Sequence, residues 1–212
     1  MIDLAEITIR SRSVSAMENN VYLLTSKRTG AQVLIDAADD PEAILAMIAA
    51  GTADSPVPAR LECIVTTHAH WDHVRALARL VAETGARTAA GTEDVPELEV
   101  PTDLPLQAGR LGIVDGLDLE IIKLRGHTAG SLAVLYQDPA GPAHLFTGDS
   151  LFPGGVGNTF GDAGRFAMLI DDVTARVFQR LPDDTVVHPG HGRGTTLGAE
   201  RPQLEQWRQR GW

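Results

Sequence analysis

The chain has 212 residues, and its 18 basic and 28 acidic side chains give a formal net charge of −10. This charge argues against a protein that reads nucleic-acid backbones, which needs clustered lysine and arginine. One cysteine excludes an internal disulfide framework, and the sequence shows neither a signal peptide nor an apolar run of about 18 residues, so we expect a cytoplasmic protein that does not enter a membrane.

The first part of the chain predicts a hairpin and a helix. Residues 21–25 and 32–36 are predicted to be strands that turn at Thr29 and Gly30. Asp40 is suited to cap a helix that has Pro41 at its first position.

A strand and a second helix follow. Residues 61–66 form a β-rich run that ends in threonines, and a helix is predicted from about Asp72 because apolar side chains recur on one face at Val74, Leu77, Leu80 and Val81.

The second part of the chain alternates strands with helices. Strands are predicted over residues 119–124, 132–136, 144–147 and 185–187, with a helix over 166–180. A polar helix around Leu204 and Trp207, with Pro202 in its first turn, is predicted to close the chain. The mixture predicts an α/β fold in a single domain of residues 1–212.

The motif HAHWDH carries the strongest chemical signal, with His68, His70, Asp72 and His73 within six residues. In an extended segment residues two apart point to the same side, so His68 and His70 are expected to reach one metal ion. Asp72 and His73 lie where the chain turns into a helix and face a different point. These nitrogen and oxygen donors suit zinc, iron or manganese, while the alternative is a polar turn with incidental histidines.

Three further residues of this chemical type follow predicted strands. His127 lies in RGHTAGS, Asp149 in FTGDS and His191 in HPGHG. Ligands and catalytic groups gather at strand ends because rigid strands aim the loops that carry them. The pattern therefore favours a metal site over incidental histidines.

In this order, HAHWDH, GHT, TGDS and PGHG resemble the motifs of the metallo-β-lactamase superfamily, over residues 20–192. The resemblance implies a four-layer αβ/βα sandwich with two divalent metal ions, zinc first and iron or manganese as alternatives, at one edge between the sheets. It implies that His68, His70 and His127 bind the first ion, that Asp72, His73 and His191 bind the second, and that Asp149 bridges both.

With aspartate at position 149, the chain is similar to the glyoxalase II-like branch rather than to the cysteine-containing β-lactamases. The resemblance implies hydrolysis of a small-molecule thioester, ester or lactone by a metal-bound hydroxide, with Asp72 orienting the attacking water or accepting a proton. Only 21 residues follow His191 in the 212-residue chain, too few for the helical region with which glyoxalase II binds glutathione. We therefore expect substrate recognition by another route.

Two other functions stay open. A mononuclear iron enzyme similar to the persulfide dioxygenases of the same superfamily would use His68, His127 and Asp149. A non-catalytic metal-binding protein on a retained fold is the second alternative, although all seven expected ligand positions are filled.

Several residues near these motifs are interpreted as structural or supporting residues rather than as metal ligands. His188 is interpreted as a satisfied strand-end histidine or a support for the ligands, and His144 as structural. Cys63 is predicted to be a buried apolar residue, and Trp71 to pack rather than to form a wall of the pocket.

The turn and loop residues fall into two pairs. Thr128 and Ser131 are expected to bond the local backbone. In the glycine-rich stretch 153–159, Asn158 and Thr159 are predicted to bind substrate, with a plain connection as the alternative.

Overall fold

The computed structural model describes residues 1–112 and 114–211. Its first sheet contains, in chain order, β1 (Ile2–Asp3), β2 (Ile7–Val14), β3 (Asn19–Ser26), β4 (Ala31–Ile35), β5 (Arg60–Thr66), β6 (Arg87–Gly91) and β7 (Leu104–Leu106). Strands that are consecutive in the chain are also neighbours in this sheet. The first four pair antiparallel, whereas β4 to β7 run parallel.

The second sheet is built from the other half of the chain. The remaining strands are β8 (Gly109–Leu111), β9 (Leu119–Lys123), β10 (Leu132–Tyr136), β11 (His144–Gly148), β12 (Leu151–Phe152), β13 (Gly155–Val156), β14 (Val186–Pro189) and β15 (Thr195–Thr196). The order in space is β15-β14-β11-β10-β9-β8, with β12 and β13 forming a separate ribbon. Only β11 and β14 are parallel neighbours among the described strands of this sheet.

The helices are α1 (Pro41–Ala50), α2 (Leu77–Thr84), α3 (Ala163–Val173), α4 (Leu197–Glu200) and α5 (Leu204–Arg210). The predicted cap of α1 is confirmed, since Asp40 accepts a hydrogen bond from the Ala43 amide at 3.1 Å. Within the described residues, no helix combines the length and the apolar character that crossing a membrane requires.

Successive side chains along a strand pack into different layers of the molecule. In β10, Leu132, Val134 and Tyr136 join the core between the two sheets, while Ala133 and Leu135 face the helices on the outside. This is the period of two that a strand buried on both faces requires.

Each sheet is covered by helices on its outer face. Ile44 of α1 and Leu77 of α2 pack on the first sheet, and Phe166 of α3 and Trp207 of α5 pack on the second. The result is the predicted four-layer αβ/βα sandwich, which is confirmed.

The second helix begins later than predicted. Trp71–His73 form one 3₁₀ turn, and the backbone at Val74 leaves the helical region with φ −131°, so regular α-helix starts at Leu77 and not at Asp72. The third helix begins at Ala163, before the predicted residue 166, because Asp162 caps it through the amides of Gly164 and Arg165.

The final helix is not polar all round. Trp207 is fully buried at 0% exposure and meets Phe178 edge-on, with ring centroids 6.3 Å apart. Its burial anchors the end of the chain to the outer face of the second sheet.

We predict that Trp207→Ala lowers the free energy of unfolding by about 3–5 kcal/mol, because it leaves a cavity in the outer core. The matched control is Trp71→Ala, since Trp71 is 60% exposed. Its expected change is within about 0.5 kcal/mol. Urea unfolding of the three proteins measures the difference, and equal losses at the two tryptophans would contradict this packing.

Candidate metal centre

The ends of four strands meet at one edge of the sandwich. The motif HAHWDH follows β5, His127 follows β9, Asp149 follows β11 and His191 follows β14. The structure brings all seven predicted residues together, in three overlapping groups whose ligand atoms lie within 4.8 Å of one another. These groups are His68, His70 and His127; His68, His73 and Asp149; and Asp72, His73 and His191.

The hydrogen bonds of His68 and His127 fix which ring nitrogen carries the proton. Nδ1 of His127 lies 2.8 Å from the Asn158 carbonyl oxygen, so it must donate. Nδ1 of His68 lies 3.1 Å from the hydroxyl of Thr67, which itself donates to Asp36 at 2.9 Å and therefore accepts from the imidazole. Both rings are left with a lone pair on Nε2.

The same reasoning applies to His73 and His191. Nδ1 of His73 lies 2.9 Å from a carboxylate oxygen of Asp36, and Nδ1 of His191 lies 2.8 Å from the Met17 carbonyl oxygen. The two Nε2 atoms are 3.2 Å apart. With both Nδ1 protons used, two Nε2 atoms this close require a cation between them, either a second proton on one ring or a metal ion.

Buried atoms without a partner mark the same point. Among the described residues, Nε2 of His68, Nε2 of His127 and Oδ1 of Asp149 are buried and make no hydrogen bond. A buried polar atom left in this way costs free energy, roughly 1–3 kcal/mol each. The donor set therefore fits a metal ion.

The two carboxylates lie between the imidazoles. Oδ1 of Asp149 is 3.4 Å from His73 Nε2, while its Oδ2 is 3.7 Å from His127 Nε2 and 3.4 Å from His191 Nε2. Asp72 is held by Asn19, whose Nδ2 donates to its Oδ2 at 2.9 Å, and that oxygen is 3.3 Å from His191 Nε2. Asp149 therefore lies close to His127 of the first group and to His191 of the third group.

Burial and charge shift the titration of these groups. Burial lowers the pKa of His68 well below its usual value. Burial also opposes a charge on His73, but Asp36 and Asp149 outweigh it and raise the pKa to about 10. Burial alone would raise the pKa of Asp149, yet His191 and His73 hold it below its usual range. The negative potential that favours a proton on His73 favours a metal cation in its place.

Asp36 is a supporting residue that the sequence analysis did not identify. It is buried, has φ 60°, and accepts hydrogen bonds from the Thr67 amide at 2.7 Å, the Thr67 hydroxyl and His73. The available signal was an acidic residue directly after the apolar strand β4.

Asp94 supports the other side of the centre. Its carboxylate accepts from the amides of Ala69 at 3.0 Å and Gly130 at 2.6 Å and from the Thr128 hydroxyl at 2.6 Å. It therefore ties the HAHWDH segment to the loop that carries His127. The Ser131 hydroxyl accepts the Thr128 amide at 2.9 Å, which confirms the predicted local backbone bond for Ser131. The same prediction is wrong for Thr128, whose hydroxyl bonds the side chains of Asp94 and Ser131.

Gly190 provides room for the centre. A Cβ atom at this position would lie 2.2 Å from Oδ1 of Asp149 and 2.8 Å from Cε1 of His73. Any side chain here would displace two of the converging residues, which explains the glycine before His191.

Two other histidines lie apart from this cluster. Nδ1 of His144 is 2.9 Å from Nε2 of His188, and the His188 ring stacks on Phe146 with centroids 4.7 Å apart. Burial lowers the pKa of His188 to about 3 and also lowers the pKa of His144, so it disfavours a charge on either ring. Their interpretation as satisfied structural histidines is confirmed.

The remaining predictions have mixed outcomes. Cys63 is buried as expected. The packing prediction for Trp71 is wrong, because its ring is 60% exposed and the guanidinium carbon of Arg75 lies 4.7 Å from the ring centroid. The Asn158 side chain accepts the Phe160 amide at 2.7 Å and Thr159 is buried, so their contact with substrate stays a prediction.

Comparison with known proteins agrees with this geometry. Residues 15–191 match the family model described as the metallo-beta-lactamase superfamily. Hydroxyacylglutathione hydrolase GloC of Haemophilus influenzae is 28% identical over 89% of this chain and 92% of its own length. A hydroxyacylglutathione hydrolase of Cereibacter sphaeroides is 36% identical over 82% of this chain, which spans only 62% of that relative.

A solved structure is similar as well. TTHA1623, solved in a di-iron-bound form, is 31% identical with a TM-score of 0.69, over 91% of this chain and 96% of its own.

We predict that Asp36→Asn weakens metal binding by about 10–100-fold, the usual cost of losing an outer hydrogen-bond partner of a ligand. Asparagine has a single side-chain oxygen, so either the Thr67 amide loses its acceptor or His73 and the Thr67 hydroxyl lose theirs. Competition with a chromogenic zinc chelator measures the affinity.

The matched control is Asp39→Asn. Asp39 is a nearby, half-buried carboxylate that pairs with Arg75 at 2.9 Å and does not contact the cluster. Equal zinc affinity in the two variants would show that Asp36 does not support His73.

Proposed function

Because the chain belongs to the metallo-beta-lactamase superfamily, we propose that it is a metal-dependent hydrolase of small-molecule thioesters or related esters and lactones. The observation that carries the proposal is the pair of Nε2 atoms of His73 and His191, 3.2 Å apart with both Nδ1 protons already used. The names of the two hydroxyacylglutathione hydrolases point to the thioester class.

We assign two metal ions to the centre. His68, His70 and His127 would hold the first, and Asp72, His73 and His191 would hold the second. Asp149 would bind both, which its contacts with histidines of both groups support. Zinc is the ion we propose, because imidazole and carboxylate donors suit it, and iron is the second choice given the di-iron form of the related structure.

Two divalent cations in such a site supply Lewis acidity toward a carbonyl oxygen and a nucleophilic hydroxide at neutral pH. The protein contributes orientation. Asp36 and the carbonyl oxygens of Met17 and Asn158 hold the imidazoles in one tautomer, and Asn19 holds Asp72. We propose that Asp72 orients the attacking water or accepts its proton.

The chain's one thiol does not compete for this role. Cys63 lies in the core between the sheets, and burial raises the pKa of its thiol to about 12. A thiol in that position is protonated and out of reach of a substrate. We propose water as the nucleophile, so that a thioester gives a carboxylic acid and a thiol.

The test is a hydrolysis screen of the zinc-loaded protein against hydroxyacyl-glutathione thioesters, simple acyl thioesters and lactones. We expect thioester cleavage that stops on chelation and returns with zinc or iron. A protein that holds one iron per chain and consumes oxygen with a persulfide, without hydrolysing any of these substrates, would contradict the proposal.

We predict that His191→Ala lowers the metal content from two ions per chain toward one, because it removes a ligand of the second site. His188→Ala, three residues earlier in the same motif, is the control, since His188 bonds His144 and not the cluster. Elemental analysis after gel filtration gives both values. Loss of metal in His188→Ala alone would reverse the assignment.

We further predict that Asp149→Asn lowers both turnover and metal content, because it removes the charge between two cations. The loss of metal affinity should be larger than the loss of about 10–100-fold that follows removal of an outer hydrogen-bond partner. Asp171→Asn is the control, since Asp171 is exposed and pairs with Arg208 at 2.7 Å. Near-normal turnover in Asp149→Asn would exclude the bridging role.

A further inference from the structure

A cavity of 540 Å³ opens beside His70, away from His73 and His191. One of its walls comes from the loop between β13 and α3, and another from α3 itself. Its lining includes Phe160 and Met168, which are 61% and 44% exposed. Large apolar side chains of this exposure beside a reactive centre point to a ligand that covers them.

Phe160 adopts a backbone conformation that a bulky residue seldom takes. Its φ is 57°, in the left-handed region, where a large side chain is strained. The loop enforces it, since the Asn158 side chain accepts the Phe160 amide at 2.7 Å and the Asp162 amide donates to the Thr159 carbonyl oxygen at 3.1 Å. The fold thus holds an aromatic ring in solvent at a cost in stability.

The ring is aimed at the metal centre. It stacks on His127 with centroids 6.1 Å apart and meets His70 edge-on at 5.8 Å. Arg165 braces it, with its guanidinium carbon 5.3 Å from the ring centroid and its Nε donating to the Gly126 carbonyl oxygen at 2.8 Å. A group bonded to the reacting carbon or sulfur would lie against the ring.

The cavity is lined by four charged side chains, and two of them are ion-paired. Arg165 has no carboxylate partner among the described residues and donates to the carbonyl oxygens of Gly126 and His127. Arg125 makes a two-pronged ion pair with Asp172 at 2.8 and 2.9 Å, and Glu93 pairs with Lys123. Glu97 has no ion pair within the described part of the chain. The charges of Arg165 and Glu97 are opposite in sign, and the guanidinium is already bonded to two carbonyl oxygens. The cavity therefore offers apolar contacts and no net positive charge to an anion.

We propose that this cavity binds an apolar, uncharged group directly attached to the scissile thioester, and that Phe160 determines specificity for it. The identity of the scissile bond rests on the proposed function. The binding of the apolar group does not, so the two can fail separately.

Binding is tested with two stable thioethers that share one uncharged thiol, N-acetyl-S-hexylcysteamine and N-acetyl-S-methylcysteamine. Calorimetry on the zinc-loaded protein should show the hexyl probe binding at least about tenfold more tightly than the methyl probe. Phe160→Ala should lose most of this preference, and Phe160→Leu should keep part of it. Val57→Ala, at an exposed apolar residue outside the cavity, should keep all of it.

Hydrolysis tells which side of the bond enters the cavity. A lower KM for hexanoyl than for acetyl N-acetylcysteamine, abolished in Phe160→Ala, places the acyl group there. A lower KM for the acetyl thioester of hexanethiol than for the acetyl thioester of N-acetylcysteamine places the thiol group there. Probe discrimination by a protein that hydrolyses no thioester, ester or lactone would leave this inference standing and contradict the proposed function.

Two results would overturn the inference. One is equal affinity of the wild-type protein for the two probes, or an unchanged preference in Phe160→Ala. The other concerns stability, because Phe160→Asn relieves the left-handed strain and should unfold at no lower temperature than wild type. A fall in Tm of more than about 4 °C would make the ring a support of the fold rather than a contact for substrate.

Discussion

The site depends on where its imidazole protons are held. Four histidines have Nδ1 bound to an acceptor from the protein, so their Nε2 lone pairs converge on one small, largely buried volume. The Nε2 atoms of His73 and His191 are only 3.2 Å apart, a separation that requires a proton or a metal ion between them. A metal ion can replace that proton and ligate both nitrogens.

The sandwich fold explains how these acceptors reach the site. The carboxylate of Asp36 comes from the end of β4, and the carbonyl oxygens of Met17 and Asn158 come from the β2–β3 turn and the loop before α3. Parallel β4 and β5 finish at one edge, and parallel β11 and β14 bring Asp149 and His191 to the same edge from the other sheet. The centre therefore sits between the sheets and joins them. On this account, loosening an acceptor such as Asp36 weakens metal binding without touching a ligand.

Much of the fold and of the candidate site could be predicted from local sequence patterns. The remaining features depend on contacts between residues that are far apart in the chain. HAHWDH and the strand ends at His127, Asp149 and His191 are local signals, and the alternation in residues 132–136 identifies a strand directly. Asp36, Asp94 and Asn19 act through partners 25 to 53 residues away, which periodicity does not reveal. Trp71 shows a different error, because local pattern predicted that this large aromatic residue packs beside the buried ligands, whereas its ring is exposed. The later start of α2 follows from the turn that points Asp72 and His73 inward.

Anomalous diffraction from crystals of the zinc-loaded protein tests the central claim most directly. We expect two zinc peaks about 3.5–4 Å apart. The first lies about 2.0–2.1 Å from nitrogens of His68, His70 and His127, and the second at the same distance from nitrogens of His73 and His191. Asp72 completes the second site and Asp149 contacts both ions. A single peak at full occupancy, or two peaks with Asp149 bound to neither, would contradict it.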